Sequence, residues 1–211
     1  MENSIIKNSC KKINLNFYKQ TDVLKIAKEL LGLYLFTKIT GKLTGGKIVE
    51  TEAYAGISDK ASHSFSGKKT PRNKAMYQTG GIVYIYLCYG IHHLFNVVTS
   101  KKEDPQAVLI RAIEPTHGID IMLKRRSLEK ISYKLTAGPG SLTRALGLTM
   151  KENGQSLINS NIWIEKPFNQ KVFLKNEILA SPRVGVAYAG KDALLPWRFR
   201  IKNNPWCSKA K

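Results

Sequence analysis

Residues 47–54, Lys-Ile-Val-Glu-Thr-Glu-Ala-Tyr, constrain the fold more than any other stretch of the chain. A strand sends successive side chains to opposite faces, so Glu50, Glu52 and Tyr54 share one face while Val49, Thr51 and Ala53 take the other. The small and β-branched face asks for a core to lie against, which makes this a sheet strand with a covered side. The opposite face carries two acids in a chain where acids are scarce: 15 Asp and Glu stand against 34 Lys and Arg, a formal net charge of +19. That face reads either as the solvated side of a half-buried strand or as carboxylates kept for chemistry on a polyanion. The positive excess makes nucleic acid the leading class of partner, with affinity that falls as salt rises, and an anionic membrane surface the second.

With 211 residues, 43% of them hydrophobic, the chain can bury an ordinary core, and one domain or at most two is expected. Residues 1–16 read as a basic, loosely ordered N-terminal segment ahead of a single domain over 17–211. Between residues 22 and 31, apolar side chains fall at 23, 26, 27, 30 and 31, the spacing of one helix, with Thr21 as N-cap and Gly32 as the stop. Strands are expected over 34–40 and 47–54, joined as a hairpin by the glycine-rich link 41–46. A long polar stretch, 55–80, follows, and a loop of that length is uncommon unless it is functional. Strand patterns return at 82–88, 92–99 and 107–114, short helices at 119–126 and 141–146, and β-type runs around Trp163, at 184–186 and at 199–201. No repeat or clear linker divides the chain, so one mixed α+β domain is the expected architecture.

Several function classes lose support. Cys10, Cys88 and Cys207 are odd in number, far apart and without a C-x-x-C, so neither a disulfide framework nor a zinc site is indicated. Gly41 to Lys47 matches the first seven positions of a P-loop, but Ile48 stands where a Ser or Thr should meet magnesium, and a strand pattern follows instead of a helix. His92 and His93, adjacent on a strand, point to opposite faces and cannot jointly grip one metal. No nucleophile elbow or dinucleotide fingerprint occurs. The first 15 residues lack a signal-peptide core, and the longest apolar run, 82–89, is too short to cross a bilayer as a helix. A soluble cytoplasmic protein without metal or cofactor is the expectation.

Blocks 48–56, 61–64, 69–73, 83–96, 108–115, 136–147 and 183–190, with Pro205-Trp206, run in order over nearly the whole chain. Together they resemble the alkyladenine (3-methyladenine) DNA glycosylase family, specifically the bacterial relatives of the mammalian alkylpurine-DNA N-glycosylase. The resemblance implies a curved, mainly antiparallel sheet flanked by short helices, with a protruding β-hairpin. It also implies base-excision repair: the enzyme binds double-stranded DNA containing damaged purines, flips the damaged nucleotide out, and hydrolyses its N-glycosidic bond. The product is an abasic site in an uncut strand.

That reaction needs a water on one face of the sugar and a departing purine on the other, through an oxocarbenium-like transition state. One well-placed carboxylate can deprotonate the water and stabilise the sugar's positive charge. The resemblance assigns this role to Glu52, although spacing alone does not decide between Glu52 and Glu50. It makes Arg111 the group that helps hold the water; without it Arg111 would read as a strand-end surface arginine. Cationic lesions stack well on electron-rich rings, and Tyr54, His63 and Tyr86 match the family's base-pocket positions. Tyr84 would be an ordinary strand tyrosine. Asn96 matches the residue that crowds the purine and disfavours normal guanine, with backbone capping as its other reading. Tyr89, before Gly90, matches the wedge that fills the gap left by flipping, and otherwise reads as a hairpin tip. Thr70 and Arg72 match DNA-backbone contacts, or belong to a solvated basic loop. Gly138 to Ser141 either cradles a phosphate or caps a helix. A flipping enzyme needs only a monomer. The reading from another class is a non-catalytic binder of damaged DNA using the same basic face.

Overall fold

The computed structural model describes residues 11–167, 173 and 175–209. In chain order these form β1 (Lys11–Lys12), α1 (Leu15–Tyr18), α2 (Val23–Glu29), β2 (Tyr34–Ile39), β3 (Lys42–Tyr54), β4 (Val83–Cys88), β5 (His92–Thr99), β6 (Gln106–His117), α3 (Ile119–Arg126), α4 (Pro139–Leu146), β7 (Ile162–Lys166), β8 (Ile178–Ser181) and β9 (Arg198–Ile201). The sheet runs β1-β7-β2-β3-β6-β5-β4, with β8 and β9 branching from β3, and every pair is antiparallel. The α+β architecture in a single compact domain is therefore as expected.

β3 is the spine. It pairs with β6 along most of its 13 residues, with β2 over its first half and with β9 over Glu50–Glu52. Its small face, Val49, Thr51 and Ala53, lies in the core. The Thr51 hydroxyl donates to the Ala27 carbonyl at 2.8 Å, which fastens α2 to the sheet. The apolar face of that helix, Val23, Ile26, Ala27, Leu30 and Leu31, is buried as its spacing demands. Each large side chain there contributes about 1.5–3 kcal/mol. The cap is Asp22 rather than Thr21: its carboxylate accepts the Lys25 amide at 2.9 Å. Gly32 turns the chain at φ +84° and donates its N–H to Ile48 at 2.8 Å.

Three expectations are corrected. The glycine-rich stretch 41–46 is not a link, because β3 begins at Lys42 and the turn is only Thr40-Gly41. Gly45 is a strand residue, paired with Phe36, and it is glycine because the Phe36 ring occupies the space a Cβ would need. Residues 184–186 are not a strand: Gly185, at φ +75°, bends the chain between β8 and a 3₁₀ stretch at Ala187–Leu194. The long stretch 55–80 folds into 3₁₀ turns at Gly56–Ser58, Phe65–Gly67 and Pro71–Tyr77. Residues 1–10 of the expected N-terminal segment lie outside the described residues; in the rest of it Lys11–Lys12 form β1, paired with β7, and α1 begins at Leu15 and ends on Tyr18. Tyr18 is fully buried and its carbonyl accepts the Ser100 amide at 2.8 Å, which anchors the segment.

The β2–β3 turn holds Thr40 at φ +52° and Gly41 at φ +74°, the pair of positive φ values a type I′ turn requires. A β-branched residue is strained there. Thr40→Asn should stabilise the fold by about 1 kcal/mol, read as a higher urea midpoint at unchanged slope.

Candidate active site

A cavity of about 600 Å³ opens where β3, β4, β5 and β6 meet the 3₁₀ turns, the bend at 184–186 and the start of α4. Two carboxylates lie beneath it, and their surroundings are unequal. Both are wholly shut off from solvent, so the solvated-face reading of this strand is excluded. Glu50 Oε1 takes the Arg111 Nε at 2.9 Å, the Arg198 Nε at 2.7 Å and the Ser208 hydroxyl at 2.8 Å; Oε2 takes the Ser208 amide at 2.6 Å. Burial alone would raise its pKa, but the two guanidinium groups and Ser208 outweigh burial and hold it below the usual carboxylate value. Glu50 is thus saturated.

Glu52 is held more openly. Its Oε1 accepts the Val184 amide at 2.8 Å and faces Arg111 Nη1 at 3.2 Å, while Oε2 accepts the Tyr54 hydroxyl at 2.8 Å. A carboxylate has about four acceptor positions. Among the described residues Glu52 meets these three groups, against four donor contacts at Glu50. Tyr54, Arg111 and Val184 all line the cavity, which sets Glu52 directly behind its wall.

Arg111 owes its position to an irregularity in the β3–β6 ladder. Glu50 pairs with Ala112 and Thr51 with Ile110, which leaves Arg111 opposite no residue. Such a bulge re-aims a side chain, and here the guanidinium spans both acids. The Arg111 carbonyl accepts the Gly138 amide at 3.1 Å, which draws the turn before α4 to the cavity. Arg111 is a buried mid-strand group and not a strand-end surface arginine. Burial opposes its charge, but Glu52 and Glu50 more than restore it.

The cavity walls are aromatic. Tyr54 carries the Arg183 guanidinium 4.8 Å from its ring centroid. Burial and the neighbouring Glu52 push its hydroxyl's pKa well up, so it remains a donor. His63 stands edge-on to Tyr86, with centroids 4.5 Å apart, and its Nδ1 meets the Tyr84 hydroxyl at 2.7 Å. Burial, with Arg72 and Lys68 near, holds His63 down to about 4 from its ordinary 6.5, so it is neutral at pH 7. Tyr84 thus does more than form a strand: it orients His63. Asn96 lines the cavity beside them, its amide nitrogen donating to the carbonyls of Tyr84 and Leu94 at 3.1 and 3.3 Å.

At the mouth, the β4–β5 turn carries Tyr89, 85% exposed at φ +49°, with Ile91 72% exposed two residues on. Arg72 lies over the Tyr86 ring at 5.3 Å and donates to the Leu87 carbonyl at 2.9 Å. Thr70 caps the 3₁₀ turn Pro71–Tyr77 in a reciprocal pair with Asn73. The structure therefore gathers Tyr54, His63, Tyr86, Tyr89, Asn96, Arg72 and Arg111 around one cavity, with Glu52 behind it and Thr70 on the neighbouring loop.

Sequence reading missed the groups that support this arrangement. Arg183 forms a fork with Asp59, Nη2 to Oδ1 at 2.8 Å, and donates to the Ala53 carbonyl at 2.9 Å, immediately before the Val184 amide that Glu52 accepts. Asn73 donates to the carbonyls of His63 and Lys68 at 2.9 and 2.8 Å and folds the loop onto itself. An acid and an arginine more than 100 residues apart carry no local signal of pairing. Among the described residues, no helix is long and apolar enough to cross a membrane.

His63 sets a pH dependence. Between pH 6.5 and about 4 the unfolded chain takes up a proton at His63 that the fold refuses, so its contribution is complete above 6.5 and lost as pH falls. Urea denaturation should show wild type losing up to about 2 kcal/mol between pH 6.5 and 5. His63→Gln should flatten that interval. Below it, both proteins should lose the contribution of Glu50, whose lowered pKa gives stability that disappears as acid protonates it.

The model of the Methylpurine-DNA glycosylase (MPG) family matches residues 16–205. A protein of Chlamydia felis is 51% identical over 88% of this chain and 94% of its own length. Relatives in Clostridium novyi, at 45% over 94% of this chain and 99% of theirs, and in Bacillus cereus strain G9842, at 44% over 92% and 97%, are comparably close. All three are named, provisionally, as 3-methyladenine DNA glycosylases. A family match over nearly the whole chain, with relatives of this identity and coverage, makes the protein a member of the methylpurine-DNA glycosylase family.

Proposed function

We propose that the protein is a DNA-3-methyladenine glycosylase: a monofunctional base-excision hydrolase that flips alkylated or deaminated purines out of duplex DNA and releases them with a Glu52-activated water. The observation that carries this reading is the buried Glu52, bridged to Arg111 and set directly behind an aromatic-walled cavity of about 600 Å³. Such a cavity accommodates a purine, and the class in view comprises 3-methyladenine, 7-methylguanine, hypoxanthine and ethenoadenine.

In this mechanism Tyr89 enters the duplex as the target nucleotide leaves it, which offsets the lost stacking. Tyr54, His63 and Tyr86 receive the base, and Asn96 crowds normal guanine. Neutral His63 suits cationic lesions, because a charged imidazole would repel them. Glu52 removes a proton from water as the oxygen attacks C1′, and the glycosidic electron pair leaves with the purine. Arg111 orients the carboxylate and the water, and the negative Glu52 faces the developing sugar cation. Thr70 and Arg72 contact the DNA backbone. No lysine is assigned to attack the sugar, so the strand stays uncut. One copy of the chain supplies every group, which makes a monomer sufficient, and a cytoplasmic location puts the enzyme with its DNA substrate.

The test uses duplexes carrying 7-methylguanine, hypoxanthine or ethenoadenine, scored for released base and alkali-labile sites. Wild type should release base without direct strand cleavage. Tight binding with no release from any lesion would favour the non-catalytic binder and end this proposal.

Glu52→Gln should keep the fold and lose at least about 100-fold in single-turnover rate, the lower end for general-base loss. Glu50→Gln should instead cost about 3–5 kcal/mol of stability, because two buried guanidinium groups lose their shared carboxylate. Full turnover in Glu52→Gln would move the base elsewhere. Tyr89→Ser should slow release most from stably paired lesions, and an unchanged rate there would remove the wedge role.

A further inference from the structure

We propose that a second groove, on the other side of the β4–β5 hairpin, is an anion site that takes backbone phosphates of the duplex beside the flipped nucleotide. The proposal deepens, and rests on, the glycosylase reading. The groove has a volume of about 540 Å³ and is lined by Arg125 and Arg126 at the end of α3, Arg144 on α4, and Ile91 and His93 around the hairpin. His92, Gly140 and Ser141 line both concavities, so groove and base cavity are neighbours. The hairpin tip separates them, Tyr89 facing the cavity and Ile91 the groove.

Charge pairing distinguishes this groove. The arginines beneath the base cavity are all matched to acids: Arg111 and Arg198 to Glu50, Arg111 also to Glu52, and Arg183 to Asp59. Among the described residues, none of Arg125, Arg126 and Arg144 has a carboxylate within ion-pair distance. They are nevertheless fixed in place. Arg144 Nε donates to the Arg125 carbonyl at 2.9 Å, and Arg125 Nη1 to the Ala145 carbonyl at 3.1 Å. Arg126 Nη2 donates to the Lys134 carbonyl and the Ser141 hydroxyl, both at 3.1 Å. Gly147 makes room for this packing, since a Cβ there would come within 2.7 Å of the Arg125 guanidinium carbon.

Burial disfavours the charge on Arg125, and burial together with Arg144 disfavours that on Arg126. Arg126 Nε is shut off from solvent and has no acceptor among the described residues. Arg144 bears on Arg126, burial bears on Arg125 and Arg126, and none of the three has a counter-charge among the described residues, so the groove concentrates positive charge without neutralising it. A bound anion supplies the counter-charge, and guanidinium groups are suited to phosphate oxygens. The duplex supplies phosphates on both sides of any nucleotide delivered to the cavity.

The test measures duplex binding against potassium chloride concentration by fluorescence anisotropy, for wild type and for Arg126→Gln/Arg144→Gln. Loss of one or two phosphate contacts should make the log–log salt slope shallower by about one to two, at about 0.9 per phosphate, with affinity at least about tenfold weaker at low salt. If the double variant unfolds more readily, Arg144→Gln alone carries the test, its side chain being exposed. It should lose about one unit of slope, and Arg144→Lys should recover most of it. Superimposable salt plots for wild type and Arg144→Gln would overturn the proposal. So would a thermal upshift by inorganic phosphate that is lost in the variant while its duplex binding is unchanged, which would mark a site for small free anions. Base release by wild type is scored in parallel. Its absence sinks the glycosylase reading, whereas coincident slopes sink only the groove.

Discussion

The arrangement depends on one guanidinium shared by two buried carboxylates. Arg111 reaches Glu50 through Nε at 2.9 Å and Glu52 through Nη1 at 3.2 Å, and all three side chains are buried. Burying an ion costs several kcal/mol unless its partners are well placed. The cluster meets that condition by pairing two acids, Glu50 and Glu52, with two arginines, Arg111 and Arg198. Glu50 takes up most of the available donors, including both donors of Ser208. With its Nε held by Glu50, Arg111 turns Nη1 toward Glu52. The catalytic role proposed for Glu52 therefore depends on a structural role in Glu50.

Other elements inherit their placement from this cluster. The bulge that turns Arg111 inward also frees its carbonyl for Gly138, and so sets where α4 begins. The bend at 184–186 presents the Val184 amide to Glu52, and the Arg183–Asp59 fork one residue earlier fixes that bend to the loop carrying His63. The loop is tied to the bend by Asp59 near its start and closed on itself by Asn73. Loops become precise enough for chemistry when buried charge and amide hydrogen bonds replace the regularity of a strand.

What could be read from the sequence follows the range of the forces involved. The shared face of Glu50, Glu52 and Tyr54 is a local property of an extended chain, and the helix face at residues 23–31 is a local property of a helix. Both were legible. The start of β3 was not, because Gly45 and Gly46 look like turn residues until Phe36 and the β6 main chain are seen to press on them. The inequality of Glu50 and Glu52 depends on Arg198 and Ser208, about 150 residues away, and no spacing within 47–54 encodes it. The orienting role of Tyr84 was hidden for a related reason: alternation says which face a tyrosine takes, and not that His63 will come to meet it.

The hairpin tip shows how the same chain can be well packed inside and unfavourable at its edge. A left-handed backbone costs a non-glycine residue about 1–2 kcal/mol, and Tyr89 adopts it while exposing most of its ring to water. Ile91 adds a second exposed apolar side chain. Neither feature serves the stability of the free protein. The strands behind them are in full register from Val83–Val97 to Cys88–His92, so the tip is held rigidly out instead of collapsing onto the sheet. The tip is strained and apolar, and it stands between an aromatic cavity and a basic groove without paired acids among the described residues. Under the proposed function and the proposed phosphate groove, a duplex would offer base faces to the tip, an extruded base to the cavity and phosphates to the groove.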